Sequence, residues 1–181
     1  IMAYATYSEG FKSGGFTQRV FPPVIPPFTA PPGTPDIDLI PTYDPEFVDV
    51  YELGFKSTLL DGRMRFNGAI FHTGYDDLQV QVFDSVAPVT ENIGSASIDG
   101  VELEMQTAPG DGWLVEASLS WLDAGYDEIG TDLTLIGSDN EFERVPEWAS
   151  SVGVSKEFML NEMGSLVVRV DWSYRDDTYN D

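Results

Sequence analysis

The sequence has no cysteine and one histidine. A disulfide framework, a thiolate nucleophile and a cysteine-ligated metal are therefore excluded. Cations are scarce as well: 9 Lys and Arg stand against 31 Asp and Glu, a formal net charge of −22. Neutralising nucleic-acid phosphates takes clustered Lys and Arg, so that class of partner is excluded too. No apolar run approaches the about 20 residues of a membrane helix, and helical periodicity is absent. No signal peptide is visible either. Ile1 opens directly in a strand-like stretch, so the natural N-terminus is expected upstream.

What the chain does have is apolar material, at 42% hydrophobic and 13% aromatic residues over 181 positions. That content argues against the disorder such an acidic excess can bring, and the length suffices for one domain. A halophilic surface, a cation-attracting field or a loop-rich cell-surface protein fits the charge.

Period-2 alternation dominates and predicts strand after strand. Over residues 51–59, Tyr51, Leu53, Phe55 and Leu59 alternate with Glu52, Gly54, Lys56 and Thr58. Residues 64–82 read as one long strand, with Met64, Phe66, Ile70, Leu78, Val80 and Val82 opposite Arg65, Asn67, Thr73, Gln79 and Gln81. Val101, Leu103 and Met105 oppose Glu102 and Glu104; Trp113, Val115, Leu119 and Trp121 oppose Glu116, Ser118 and Ser120. Leu166, Val168, Val170, Trp172 and Tyr174 oppose Arg169, Asp171 and Arg175. Residues 148–160 alternate more weakly, because Ser150 and Lys156 interrupt the apolar face.

A soluble sandwich alternates too, so the connections decide more. Asp61-Gly62, Pro109-Gly110-Asp111-Gly112 and Asn161-Glu162-Met163-Gly164 have tight-turn chemistry. Long polar connections at 9–45, 84–95 and 127–144 separate them, so short and long alternate strictly. Bacterial outer-membrane barrels sort their connections this way, with short periplasmic turns and long extracellular loops. Several strands also exceed the about 9–11 residues that cross a bilayer. Trp113, Trp121, Tyr126, Trp148, Phe158 and Trp172 are candidate membrane-interface aromatics.

Three blocks resemble the C-terminal barrel half of TonB-dependent receptors. Residues 4–16 hold the aromatic-serine, Gly10-Phe11-Lys12 and Gly14-Gly15-Phe16 pattern. Pro45-Glu46-Phe47-Val48 and Tyr51-Glu52-Leu53-Gly54-Phe55-Lys56-Ser57 lead into the Asp61-Gly62 turn, continued by Arg65-Phe66-Asn67-Gly68-Ala69-Ile70-Phe71 and Tyr75-Asp76-Asp77-Leu78-Gln79-Val80. Asn92-Ile93-Gly94-Ser95-Ala96 and Gly100-Val101-Glu102-Leu103-Glu104 form the third. The resemblance implies an outer-membrane barrel of about 22 strands around a plug, importing a scarce ligand with energy from the TonB complex. It implies an all-β, antiparallel up-and-down meander of about seven strands over 1–181, part of that transmembrane barrel. Residues 9–45 would be a long, Pro-rich extracellular loop. No plug or TonB-box stretch is found, and the last residues, Asn180-Asp181, lack the family's terminal aromatic. The chain thus reads as an internal portion, with the plug and the barrel's end outside it.

Each remaining motif has a plain reading beside the functional one. His72 lacks a positioned catalytic partner in the sequence and is expected to be a structural or interfacial strand residue. Glu102 and Glu104 share a strand face as a glycosidase pair might; in a barrel that spacing sets both in a hydrated lumen. Glu52, Lys56, Arg65, Glu116 and Arg169 are lumen-facing candidates with them. Asp36, Asp38, Asp127, Glu128, Asp132, Asp139, Glu141 and Glu143 gather in the long connections, without EF-hand spacing, and read as solvated acidic loops. Nine prolines within 21–45 suggest either a polyproline recognition strip or a stiffened loop.

The expectation is thus a receptor rather than an enzyme, with no cofactor or metal of its own. Its partners are outer-membrane lipid, the TonB complex and a small ligand such as a ferric siderophore, cobalamin or a glycan. A secreted all-β carbohydrate-binding module and a passive porin are the alternatives.

Overall fold

A computed structural model describes residues 1–16, 42–84, 87–129, 142 and 145–178. Most of the Pro-rich stretch, and the acids at 36, 38, 132, 139, 141 and 143, lie outside the described residues. The strands are β1 (Met2–Lys12), β2 (Gly15–Phe16), β3 (Thr42–Tyr43), β4 (Glu46–Leu59), β5 (Met64–Asp76) and β6 (Gln79–Asp84). Then come β7 (Ala87–Asn92), β8 (Gly94–Gly110), β9 (Trp113–Ile129), β10 (Trp148–Met159) and β11 (Ser165–Arg175). Seven of them form one antiparallel sheet in the order β1-β4-β5-β8-β9-β10-β11, while β2–β3 and β6–β7 are separate two-stranded sheets. The expected meander is present. No helix among the described residues is long and apolar enough to cross a membrane, which says nothing about crossing by strands.

The tight turns follow their sequence chemistry. Gly110 pairs with Trp113, leaving Asp111 and Gly112 as a two-residue loop. Both have positive φ, 51° and 74°, as a type I′ hairpin requires of an Asp-Gly pair. Asp61-Gly62 closes β4 onto β5, with Gly62 N–H donating to the Leu59 carbonyl at 3.1 Å. A 3-10 turn at Asn161–Met163 joins β10 to β11. These connections lie together at one end, since Ala108 N–H reaches the Arg63 carbonyl at 2.8 Å and Glu157 N–H reaches Gly112 at 2.9 Å.

Two sequence expectations need correction. Residues 64–82 are not one strand: Asp77 takes a φ of 54°, and the Leu78 backbone turns to pair with Gly94 and Ile93. The chain leaves the main sheet there as β6, and the connection expected over 84–95 is largely the β6–β7 hairpin. The strands also run further than expected at the long-connection end, β1 to Lys12 and β9 to Ile129.

A single-layered sheet has little interior. Among the described residues only Ile93 and Ala96 are buried apolar side chains. All eleven residues of β11 are exposed, including Val170 at 68% and Trp172 at 56%. Among the described residues no second sheet covers the apolar stripe, which a soluble sandwich would pack inward.

Candidate functional site

Because side chains alternate along a strand, the registers sort them into two faces. One face carries the row Lys56–Asn67–Glu104–Ser118–Ser151–Ser173. Beside it runs Gly54–Ala69–Glu102–Ser120–Ala149–Arg175. Glu52, Arg65, Glu116 and Arg169 have the same parity, so all seven residues singled out as lumen candidates share this polar face. The opposite face carries Ala5–Leu53–Ile70–Val101–Trp121–Trp148, an apolar row.

The polar face is cross-linked rather than merely wet. The Tyr4 hydroxyl donates to the Glu52 carboxylate, and the Lys56 ammonium lies 5.6 Å from the Tyr4 ring centre. Arg169 on β11 reaches across β10 to Glu116 on β9 at 2.7 Å, and its Nη2 lies 2.8 Å from Asp171. Gln106 donates to the other Glu116 oxygen at 3.0 Å. Gly153 makes this bridge possible. A Cβ there would stand 2.5 Å from Arg169 Nη2 and 2.8 Å from Asp171 Oδ1. Glycine is kept for a close approach, not for an unusual φ.

Of the six aromatics proposed for an interface, five lie on the apolar face. Trp121 and Trp148 are neighbours toward the long-connection end, ring centres 6.3 Å apart. Trp113 and Phe158 flank Lys156 near the short turns, at 5.1 and 5.7 Å from its ammonium. Trp172 lies between, opposite Val152. Tyr126 differs: it opposes Ala96, on the polar-face parity, and stacks on Phe142 at 4.6 Å.

Three features escaped the sequence reading. His72 pairs with Asp99 at 2.9 Å across β5 and β8, at the long-connection end of the apolar face. Asp123 lies opposite Asp99. Only cross-strand register brings these residues together. Second, the nearly buried Gln79 side chain donates to the carbonyls of Lys12, Ser13 and Asp44, while its backbone N–H donates to Glu46 at 2.8 Å. Asn92 adds bonds to the Asp44 and Asp77 carbonyls at 3.0 and 2.7 Å. The β6–β7 hairpin is thereby tied to the rim of the sheet. Third, a recess of about 450 Å³ at the long-connection end sets Asp123, Glu147, Asp176 and Asp177 around Leu122 and Phe142. No group of three or more His, Asp or Glu among the described residues is arranged to hold a metal ion.

Comparison with known proteins places this architecture. The family described as "TonB dependent receptor-like, beta-barrel" matches residues 1–181. The probable TonB-dependent siderophore receptor PiuA of Acinetobacter baumannii is 27% identical over 147 residues, covering 76% of this chain and 19% of that protein. Its crystal structure superposes with a TM-score of 0.61 at 25% identity, over 77% of this chain and 20% of that one. The ferric-pyoverdine BN7/BN8 receptor of Pseudomonas putida is 33% identical over 86 residues, 46% of this chain and 10% of that protein. The ferric yersiniabactin uptake receptor FyuA of Yersinia pestis shares the fold, with a TM-score of 0.70 at 21% identity, over 99% of this chain and 24% of that one. The chain thus spans about a fifth to a quarter of the length of PiuA and FyuA. Its family is one of receptors and transporters rather than enzymes, seated in the outer membrane. The chain belongs to the TonB-dependent receptor β-barrel family.

Proposed function

We propose that this chain is a wall segment of a receptor that imports a ferric siderophore across the outer membrane, with energy supplied through TonB. The observation that carries the reading is the sorting of faces. Through the middle of the seven hydrogen-bonded strands the charged side chains keep one parity, and the other parity is apolar and exposed among the described residues, with its charges confined to the two ends. A barrel wall with lipid outside and a hydrated, plug-filled interior needs that arrangement. The similarity to the siderophore receptor PiuA and to the ferric-pyoverdine receptor supports the substrate class.

In this reading Glu52, Lys56, Arg65, Glu102, Glu104, Glu116 and Arg169 line the interior and face a plug supplied from outside residues 1–181. The short turns are periplasmic and the long connections extracellular.

The test is uptake of ⁵⁵Fe-charged catecholate, hydroxamate and mixed-ligand siderophores by cells whose only siderophore receptor is the full-length protein. Saturable uptake of at least one chelate, abolished by a protonophore, is the expected result. Entry that survives the protonophore would make the protein a passive pore. Failure to take up any of the chelates would remove the substrate class.

A further inference from the structure

Charge on the apolar face is sorted by end. Glu9, Asp49, Asp99 and Asp123 share the apolar parity toward the long connections. Lys156, in the row Trp113–Lys156–Val168 beside the short turns, is the only Lys or Arg of that parity among the described strand residues. Its ammonium donates to the Asp111 carbonyl and lies over the Trp113 and Phe158 rings. A lysine carries three N–H donors and no acceptor, so two remain. No carboxylate among the described residues forms an ion pair with it. Glu157, next in sequence, has the opposite parity. A recess of about 550 Å³ opens beside the ammonium, bounded by Asp111, Gly112, Glu157, Phe158 and Met159. Below it the apolar parity continues through Val168, Val154 and Val170, all toward the same side.

We propose that Lys156, framed by Trp113 and Phe158, holds the phosphate of one glycerophospholipid at the short-turn end of the sheet. Two free donors on a cation suit two phosphate oxygens, aromatic rings fit the level of headgroups, and a long side chain extends its charge to that level while its stem stays apolar. The acyl chains then lie along the valine rows. Glu157 at the recess and Asp111 and Glu162 in the adjoining turns oppose the phosphate, so the ammonium decides whether it stays. This inference rests on the barrel reading above, in which the apolar face meets lipid.

The experiment uses the purified full-length receptor in detergent, titrated with phosphatidylglycerol and followed by native mass spectrometry. Lys156→Gln should weaken the tightest-bound copy about fivefold, the worth of one cation near a headgroup layer. Lys156→Arg should retain it, and Lys12→Gln on the polar face should bind as the parent does. Trp113→Leu should weaken binding with the charge intact. Gel mobility with and without heating verifies that each variant is folded. Equal binding by Lys156→Gln and the parent overturns the site, as does an equal loss in Lys12→Gln. Displacement of the lipid by glycerol phosphate at similar concentration would make it a plain phosphate site and overturn the lipid assignment. A folded parent that keeps no lipid or detergent belt would overturn the barrel reading itself, a different failure.

Discussion

At Gly153 the absence of one methyl group lets three strands be tied together. Arg169 can lie flat over β10 and reach Glu116 only because nothing projects from position 153. Gly153→Ala should therefore break the Arg169–Glu116 bridge. In the full-length receptor, Gly153→Ala and Arg169→Gln should each lower resistance to denaturant, and the double variant should be little worse than either. Additive losses would mean the glycine serves something else. The neighbouring pair Ser151 and Val152 tests which face is which. Val152 sits four residues from Trp148 and six from Phe158, central on the apolar face, while Ser151 bonds Ser118 at 2.7 Å on the polar one. Val152→Arg should cost roughly 2–4 kcal/mol of bilayer stability, the figure for a cation near the midplane. Ser151→Arg should cost far less, because it stays in the hydrated interior. Equal penalties in a folding titration would mean that lipid and water are not divided by this sheet.

Strands and turns carry the orientation. The short turns all lie at one end and the β6–β7 hairpin at the other. These 181 residues contain no cysteine, so a reporter placed among them competes with no other thiol of this segment, and any cysteine elsewhere in the receptor is first replaced by serine. With the full-length receptor in intact cells, Thr90→Cys on β7 should react with a membrane-impermeant maleimide, and Glu162→Cys in the 3-10 turn should not. Reversed labelling would turn the barrel over. Most of the main sheet was legible in the sequence, because parity within one strand, as in Val101, Leu103 and Met105, already reports its two faces. What a single strand cannot report is its neighbour. The His72–Asp99 pair and the reach of Arg169 depend on register between segments 27 and 53 residues apart. The break at Asp77 was hidden for another reason: Leu78, Val80 and Val82 keep the even phase of Met64 and Phe66 across the bend. Its height along β9 sets Tyr126 near Trp121, yet its parity is that of Glu116.

The described sheet as a whole has edges at β1 and β11, each paired on one side only. β11 offers eleven exposed residues along its edge. Leu53, Ile70, Val170 and Trp172, all on the apolar face, are each more than half exposed. In water such a face and such edges drive association, since apolar contact and unmade backbone hydrogen bonds are both relieved by a second copy. Lipid or detergent relieves the first, and neighbouring strands of a longer chain relieve the second. The 181-residue chain made alone should consequently sediment without detergent as large, polydisperse species. Detergent should reduce their size but leave oligomers, because it covers the face and not the edges. Fusion to the adjoining strands of the receptor should remove that residual association. A compact, detergent-free monomer in the ultracentrifuge would require something to cover both the apolar face and the two edges, and a barrel wall would then be the wrong description of this sheet.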